Sequence, residues 1–275
     1  MFMPMGSAMP TPSEARLAMA QPDLWQGPQP AHVLSQRVLP RGDLMTLRLF
    51  IARPLQPDGS VIYMLDGGAL PPMLLPDLLA RHPGLAVVAV GYDTERAFSP
   101  AERYFDYAPA ATPDEARNLR FATGGAEAFS TLLTGELRSI AEDGLDIDPA
   151  RRSVWGHSLG GLFALTQMLT APQEFAGYVA ASPSIWMCEQ TMTRLAHAAL
   201  ALDGCRLLCT MGDNERRSNA PPLDRPTPPP ATLRLLDVLD QRGDLTAQRH
   251  VFPGAKHGPA LALSLPLALD YARQT

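Results

Sequence analysis

The chain has 275 residues and a mass of 29.7 kDa, with a formal charge of −5, 46% hydrophobic and 19% charged residues. That balance excludes wholesale disorder, and the acidic charge without a basic stripe argues against DNA or RNA held through phosphate contacts. The length suits one α/β unit whose core is large enough to shelter a dry pocket.

Proline is the compositional outlier: 28 residues, about twice the ordinary usage of ~5%. Stretches rich in it at Met1–Pro30 and Pro221–Pro230 are expected to be neither helix interior nor central strand. Residues 1–30 read as a loose arm rich in Met, Pro and Ala, ahead of a single domain over 31–275. The arm lacks the basic and apolar regions of a secretory signal, and no apolar run approaches the ~18 residues of a membrane span. A cytoplasmic location is expected. Cys188, Cys205 and Cys209 are an odd set for a disulfide framework. Cys205 and Cys209 lie four apart in an apparent strand, about 13 Å, too far to bridge, so buried reduced thiols are expected.

In chain order, Leu44–Ala52, Val61–Leu65 and Leu85–Val90 read as strands, the last buried on both faces. Leu70–Arg81 reads as helical after its prolines, and Asp93–Gly125 as a long irregular region. Phe129, Leu132, Leu133, Leu137 and Ile140 recur at helical spacing and predict a helix from about Ala126 to Asp143. Arg152–Trp155 is a short strand and Gly161–Leu169 a helix. Ala176–Ala181 and Arg206–Met211 are strands, Thr232–Gln241 is a helix, and Gln248–Phe252 is the last strand. Leu261, Leu263, Leu265, Leu267 and Leu269 alternate as a strand would, but Pro266 interrupts them; a helix accommodating Pro266 in its first turn is favoured. Strands alternating with helices imply a mostly parallel sheet with helices on both faces and an active site at the strands' carboxyl ends.

Chemistry concentrates at Gly156-His157-Ser158-Leu159-Gly160, a G-x-S-x-G between a strand and a helix. The turn is expected to hold Ser158 strained and exposed, with the first helical amides beside whatever it attacks. A serine needs a base. His257, in the turn-rich loop after the last strand, is delivered to the same sheet edge. The acid is expected between them in sequence, and Gly212-Asp213-Asn214-Glu215 follows a strand there. Asp213 and Glu215 both qualify. An oxyanion hole needs two backbone N–H groups; Leu159 supplies one and Gly68, after Val61–Leu65, the other. His157 is expected to point away from its neighbour. No H-E-x-x-H, paired C-x-x-C, phosphate-loop or dinucleotide motif occurs, so no metal or other cofactor is expected.

With these residues in place, the chain resembles the α/β-hydrolase esterases that cut catecholate siderophores, the enterobactin and salmochelin trilactone hydrolases. The likeness runs from about Arg41 to the C-terminus. It is carried by Tyr63-Met-Leu-Asp-Gly67, Arg103-Tyr-Phe-Asp-Tyr-Ala-Pro109, Trp155–Phe163, Ala181-Ser-Pro-Ser184, Gly212-Asp-Asn214 and the loop to His257-Gly-Pro259. It implies an α/β-hydrolase fold, with Ser158 as nucleophile and His257 as base. It further implies that Arg103 and Arg120 face an anionic ferric-catecholate and that Trp186 forms an apolar wall. A serine esterase acting through an acyl-enzyme is therefore expected, with a siderophore trilactone as substrate. The alternatives are a general carboxylesterase, thioesterase or acyltransferase of the same fold, or a non-catalytic siderophore-binding protein. Pro221–Pro230 is expected to form a rim over the site.

Overall fold

A computed structural model describes residues 30–71, 73, 76–216 and 226–274. Apart from Pro30, the expected arm lies outside these residues, as do residues 221–225 of the expected rim. Eight strands form one sheet: β1 (His32–Arg41), β2 (Leu44–Pro54), β3 (Val61–Leu65), β4 (Ala86–Tyr92), β5 (Arg152–His157), β6 (Gly177–Ala181), β7 (Arg206–Gly212) and β8 (Thr246–Phe252). Their order is β1-β2-β4-β3-β5-β6-β7-β8. The β1–β2 and β2–β4 pairs are antiparallel, and every later pair is parallel.

The pleat divides each central strand between two cores. On β3, Val61, Tyr63 and Leu65 face one core while Ile62 and Met64 face the other. Both sides are buried, which is why the strand is an unbroken apolar run. The first core is closed by α2 (126–142), α3 (Leu159–Thr170), α4 (Glu189–Ala198) and α5 (Pro230–Asp240). The second is closed by a short helix, Pro76–Ala80, and by α6 (His257–Arg273). Trp155, fully buried on β5, joins α6 by donating its indole N–H to Ser264 Oγ at 3.2 Å.

Four expectations change. Strand β1 carries no clear strand pattern in sequence, because its polar residues alternate irregularly and Val33 and Val38 are exposed. The region 93–125 is not wholly irregular: α1 (Pro100–Tyr107) begins with proline at its first turn, where no amide is missed. Among the described residues of the helix expected over Leu70–Arg81, only Pro76–Ala80 is helical. Helix α6 carries Pro266 in its interior, not in its first turn. Its buried face is Ala260, Leu261, Ser264, Leu265, Ala268 and Leu269, a helical repeat that the leucines alone disguise. The three cysteines are buried and unpaired. Among the described residues no helix is long and apolar enough to cross a membrane.

Candidate active site

Strand β5 ends at His157 and α3 starts at Leu159, so Ser158 alone makes the turn. Its backbone sits at φ 61° and ψ −112°, which costs an L-residue of order 1–3 kcal/mol. Neighbouring backbone holds it there. The Ser158 N–H donates to Ala181 O at 2.9 Å, and the Ser158 carbonyl accepts from Leu162 and Ser184, each at 3.0 Å. Of the two flanking glycines only Gly156 is a steric necessity: a Cβ there would stand 2.2 Å from the Gly160 backbone, whereas one on Gly160 would meet Leu65 at an ordinary 3.4 Å. On the next residue, Gly161, a Cβ would lie 2.9 Å from the Ala181 carbonyl. A Gly156→Ala variant is expected to lose about 3 kcal/mol or more of stability, read by urea unfolding, because the clash is with backbone that has nowhere to go.

The loops after β7 and β8 bring two side chains to that serine. His257 Nδ1 donates to Glu215 Oε2 at 2.8 Å, which leaves Nε2 to accept from Ser158 Oγ at 3.0 Å. The second oxygen of Glu215 accepts from the Gly212 N–H at 2.6 Å and from Ser182 Oγ at 2.5 Å. Of the two acids the sequence left open, Glu215 is therefore the one at the histidine. Asp213 is a correction: its Oδ1 accepts from the Gly254 N–H at 2.6 Å, bracing the turn that precedes His257. The two loops touch backbone to backbone, since a Cβ on Gly212 would lie 2.1 Å from Ala255 O.

The Leu159 N–H, first in α3, has no intrahelical acceptor. After β3, Gly67 donates to Val90 O at 2.8 Å and Ala69 to Asp66 O at 2.9 Å, while the buried Gly68 N–H has no acceptor among the described residues. Neither amide expected to hold an oxyanion thus has an acceptor among the described residues.

Arg103 is corrected as well. Its guanidinium grips Asp66, Nε to Oδ1 at 2.5 Å and Nη2 to Oδ2 at 2.8 Å, with side chains 11% and 2% exposed. Arg120 is exposed and lies 5.1 Å from the Phe121 ring centroid. Trp186 is 41% exposed and, with Glu115, Glu189 and Arg194, lines an open groove of about 990 Å³ that Ser158, His257 and Glu215 do not line.

Four contributors carried no expected role here. The His157 ring packs 4.7 Å from that of His257, and its Nε2–H donates to the His257 carbonyl at 3.0 Å. Ser182 holds Glu215, Ser184 Oγ lies 3.0 Å from Ser158 Oγ, and Asp66 holds Arg103. The Ser-Pro-Ser after a buried strand was the available signal for the first two, because the carboxyl ends of these parallel strands converge on the elbow.

Burial, with the adjoining His257 ring, holds the His157 imidazole well below its ordinary range, and burial lowers His32 as well. In the unfolded chain both take up a proton near pH 6.5, so below that pH unfolding binds protons and stability falls. The expected slope is up to about 1.4 kcal/mol per pH unit per group, from about pH 6.5 toward the depressed folded values. Urea midpoints between pH 7 and 5 should fall more shallowly in His157→Gln than in the unmodified protein.

The chain is similar to known esterases. The profile of the family described as "Putative esterase" matches residues 56–257. The apo-salmochelin esterase of Escherichia coli O6:H1 is 33% identical over 224 residues, 76% of this chain and 68% of that protein. The ferri-bacillibactin esterase BesA of Bacillus subtilis is 32% identical over 163 residues, 53% of this chain and 56% of that one. The solved enterobactin hydrolase IroE in complex with DFP superimposes with a TM-score of 0.74 at 28% identity, covering 91% of this chain and 99% of its own.

Proposed function

The chain belongs to the putative esterase family, and from that premise we propose that it hydrolyses the ester bonds of catecholate siderophore trilactones through an acyl-enzyme on Ser158. The observation that carries the reading is the hydrogen-bond chain Ser158–His257–Glu215, anchored on a serine whose backbone is held at positive φ. Ser158 Oγ attacks the ester carbonyl as His257 Nε2 takes its proton, and the oxyanion that forms is held by the Leu159 and Gly68 amides. The carbonyl re-forms, the alkoxide leaves, and His257 returns the proton to it. Water then repeats the sequence on the acyl-enzyme, with His257 as its base, and releases the acid and free serine. Glu215 keeps the histidine in the tautomer that both half-reactions require.

The substrate class comes from the relatives, which are named as salmochelin, bacillibactin and enterobactin esterases or hydrolases. Arg120 and Trp186, both open to solvent, are the groups proposed to meet an anionic, aromatic ligand. Cleavage of the ester ring would loosen its grip on iron, and the proposed role is iron acquisition. The three buried, unpaired cysteines suit a reducing compartment, and the cytoplasm is the proposed site of action.

Incubation with ferric enterobactin, followed by mass analysis, tests the substrate. Linear dihydroxybenzoylserine oligomers are expected. Intact trilactone, alongside rapid turnover of short p-nitrophenyl esters, would instead make the protein a general carboxylesterase.

A further inference from the structure

Resemblance would turn Arg103 toward an anionic substrate, but its guanidinium is engaged elsewhere. We propose that Arg103 is a positioning residue for the oxyanion hole: it fixes Asp66, and through Asp66 the turn that presents the Gly68 N–H. The inference rests on the serine-esterase reading above.

Asp66 is the residue on which that turn pivots. It takes φ 59°, a conformation L-residues rarely adopt, so something must hold it. Its side chain is held by the two-pronged Arg103 contact, and its N–H reaches the Tyr107 hydroxyl at 3.4 Å. Arg103 is itself confined, 5.0 Å from the Phe98 ring centroid and 5.9 Å from that of Tyr107. A fork fixed in one plane transmits orientation in a way a single charge does not.

What Asp66 steadies is the Gly68 amide. The amides on either side of it are committed to Val90 O and Asp66 O, so the turn can tilt only if Asp66 moves. The other face of the turn lies against β4, where a Cβ on Gly91 would come within 2.6 Å of Gly68 N. The same carboxylate abuts the serine elbow: Asp66 Oδ2 is 3.6 Å from where a Cβ on Gly160 would stand. One ion pair therefore ties α1, the oxyanion turn and the nucleophile's helix together. Such donors act only when placed to a fraction of an ångström.

The test measures Arg103→Gln and Arg103→Lys on p-nitrophenyl acetate, which carries no charge, and on ferric enterobactin. Removing an oxyanion donor typically costs about 10²–10³ in kcat. Arg103→Gln should lower kcat about 100-fold on both substrates, with KM within about threefold. Arg103→Lys should lose about tenfold, because it keeps the charge without the fork. Inhibition by a trifluoromethyl ketone, which forms an oxyanion on the enzyme, should weaken in proportion to the loss of kcat/KM. A kcat on the neutral ester within about threefold of the unmodified protein, with KM raised only for the anionic substrate, overturns the proposal and makes Arg103 a substrate contact. Should Arg103→Gln not fold, the neutral pair Asp66→Asn with Arg103→Gln removes the unpaired buried charge and is judged by the same kcat criterion. Fluorophosphonate labelling separates the two levels: an unlabelled unmodified protein sinks the serine-esterase reading, whereas a labelled one with unimpaired variants sinks only this inference.

Discussion

Ser158→Ala is expected to lower kcat for ester hydrolysis by at least about 10⁴-fold, equivalent to about 5.5 kcal/mol of lost transition-state stabilisation. The expectation follows from the chain of donors: with Oγ gone, His257 Nε2 faces no alcohol to deprotonate. The neighbouring Ser184 hydroxyl, 3.0 Å from Ser158 Oγ, is the internal control. It contacts the nucleophile, whereas the His257 Nε2 contact is with Ser158. Ser184→Ala should therefore cost about tenfold or less, the scale of losing one neutral hydrogen bond. Steady-state rates on a p-nitrophenyl ester check both. Retention of more than a few per cent of activity by Ser158→Ala would remove the serine from the mechanism.

Glu215→Gln carries the second large effect, a loss of about 10³–10⁴ in kcat. Oε1 of Glu215 accepts from both Gly212 N–H and Ser182 Oγ, so a glutamine would leave its oxygen there and turn its NH₂ toward His257. Nδ1 would then have to accept, the ring proton would move to Nε2, and the base could no longer take a proton from Ser158. Asp213→Asn keeps the oxygen that accepts from Gly254 and should stay within about threefold of the unmodified kcat. If Asp213→Asn abolished activity and Glu215→Gln spared it, the two acids would have to exchange roles.

Much of this site was legible because its chemistry is written in short segments. G-x-S-x-G needs a strand before it and a helix after it, and both were visible in Ser153–Leu165. His257 is a candidate by its place in a loop after the last strand, and Gly68 by the glycine pair that follows β3. The choice between Asp213 and Glu215 was not legible, because two residues apart in a loop they differ only in direction, which the backbone contact of Gly212 with Ala255 sets. Arg103 misled for a related reason. A sequence shows a cation, but not that Asp66, thirty-seven positions earlier, will pair with it. His157 and the Ser182–Ser184 turn were hidden because their partners come from other loops, so no local spacing announces them. Strand β1 is hidden by its exposed valines, and in α6, which reads as a helix, the turns before Pro266 are hidden by alanines interleaved with the leucines.

Whether Ser158 is the nucleophile is tested most directly by peptide mapping after reaction with a fluorophosphonate. One adduct per chain is expected, carried by Ser158 and formed more slowly when ferric enterobactin occupies the site. An adduct on any other residue, or no adduct in protein that still hydrolyses esters, would contradict it.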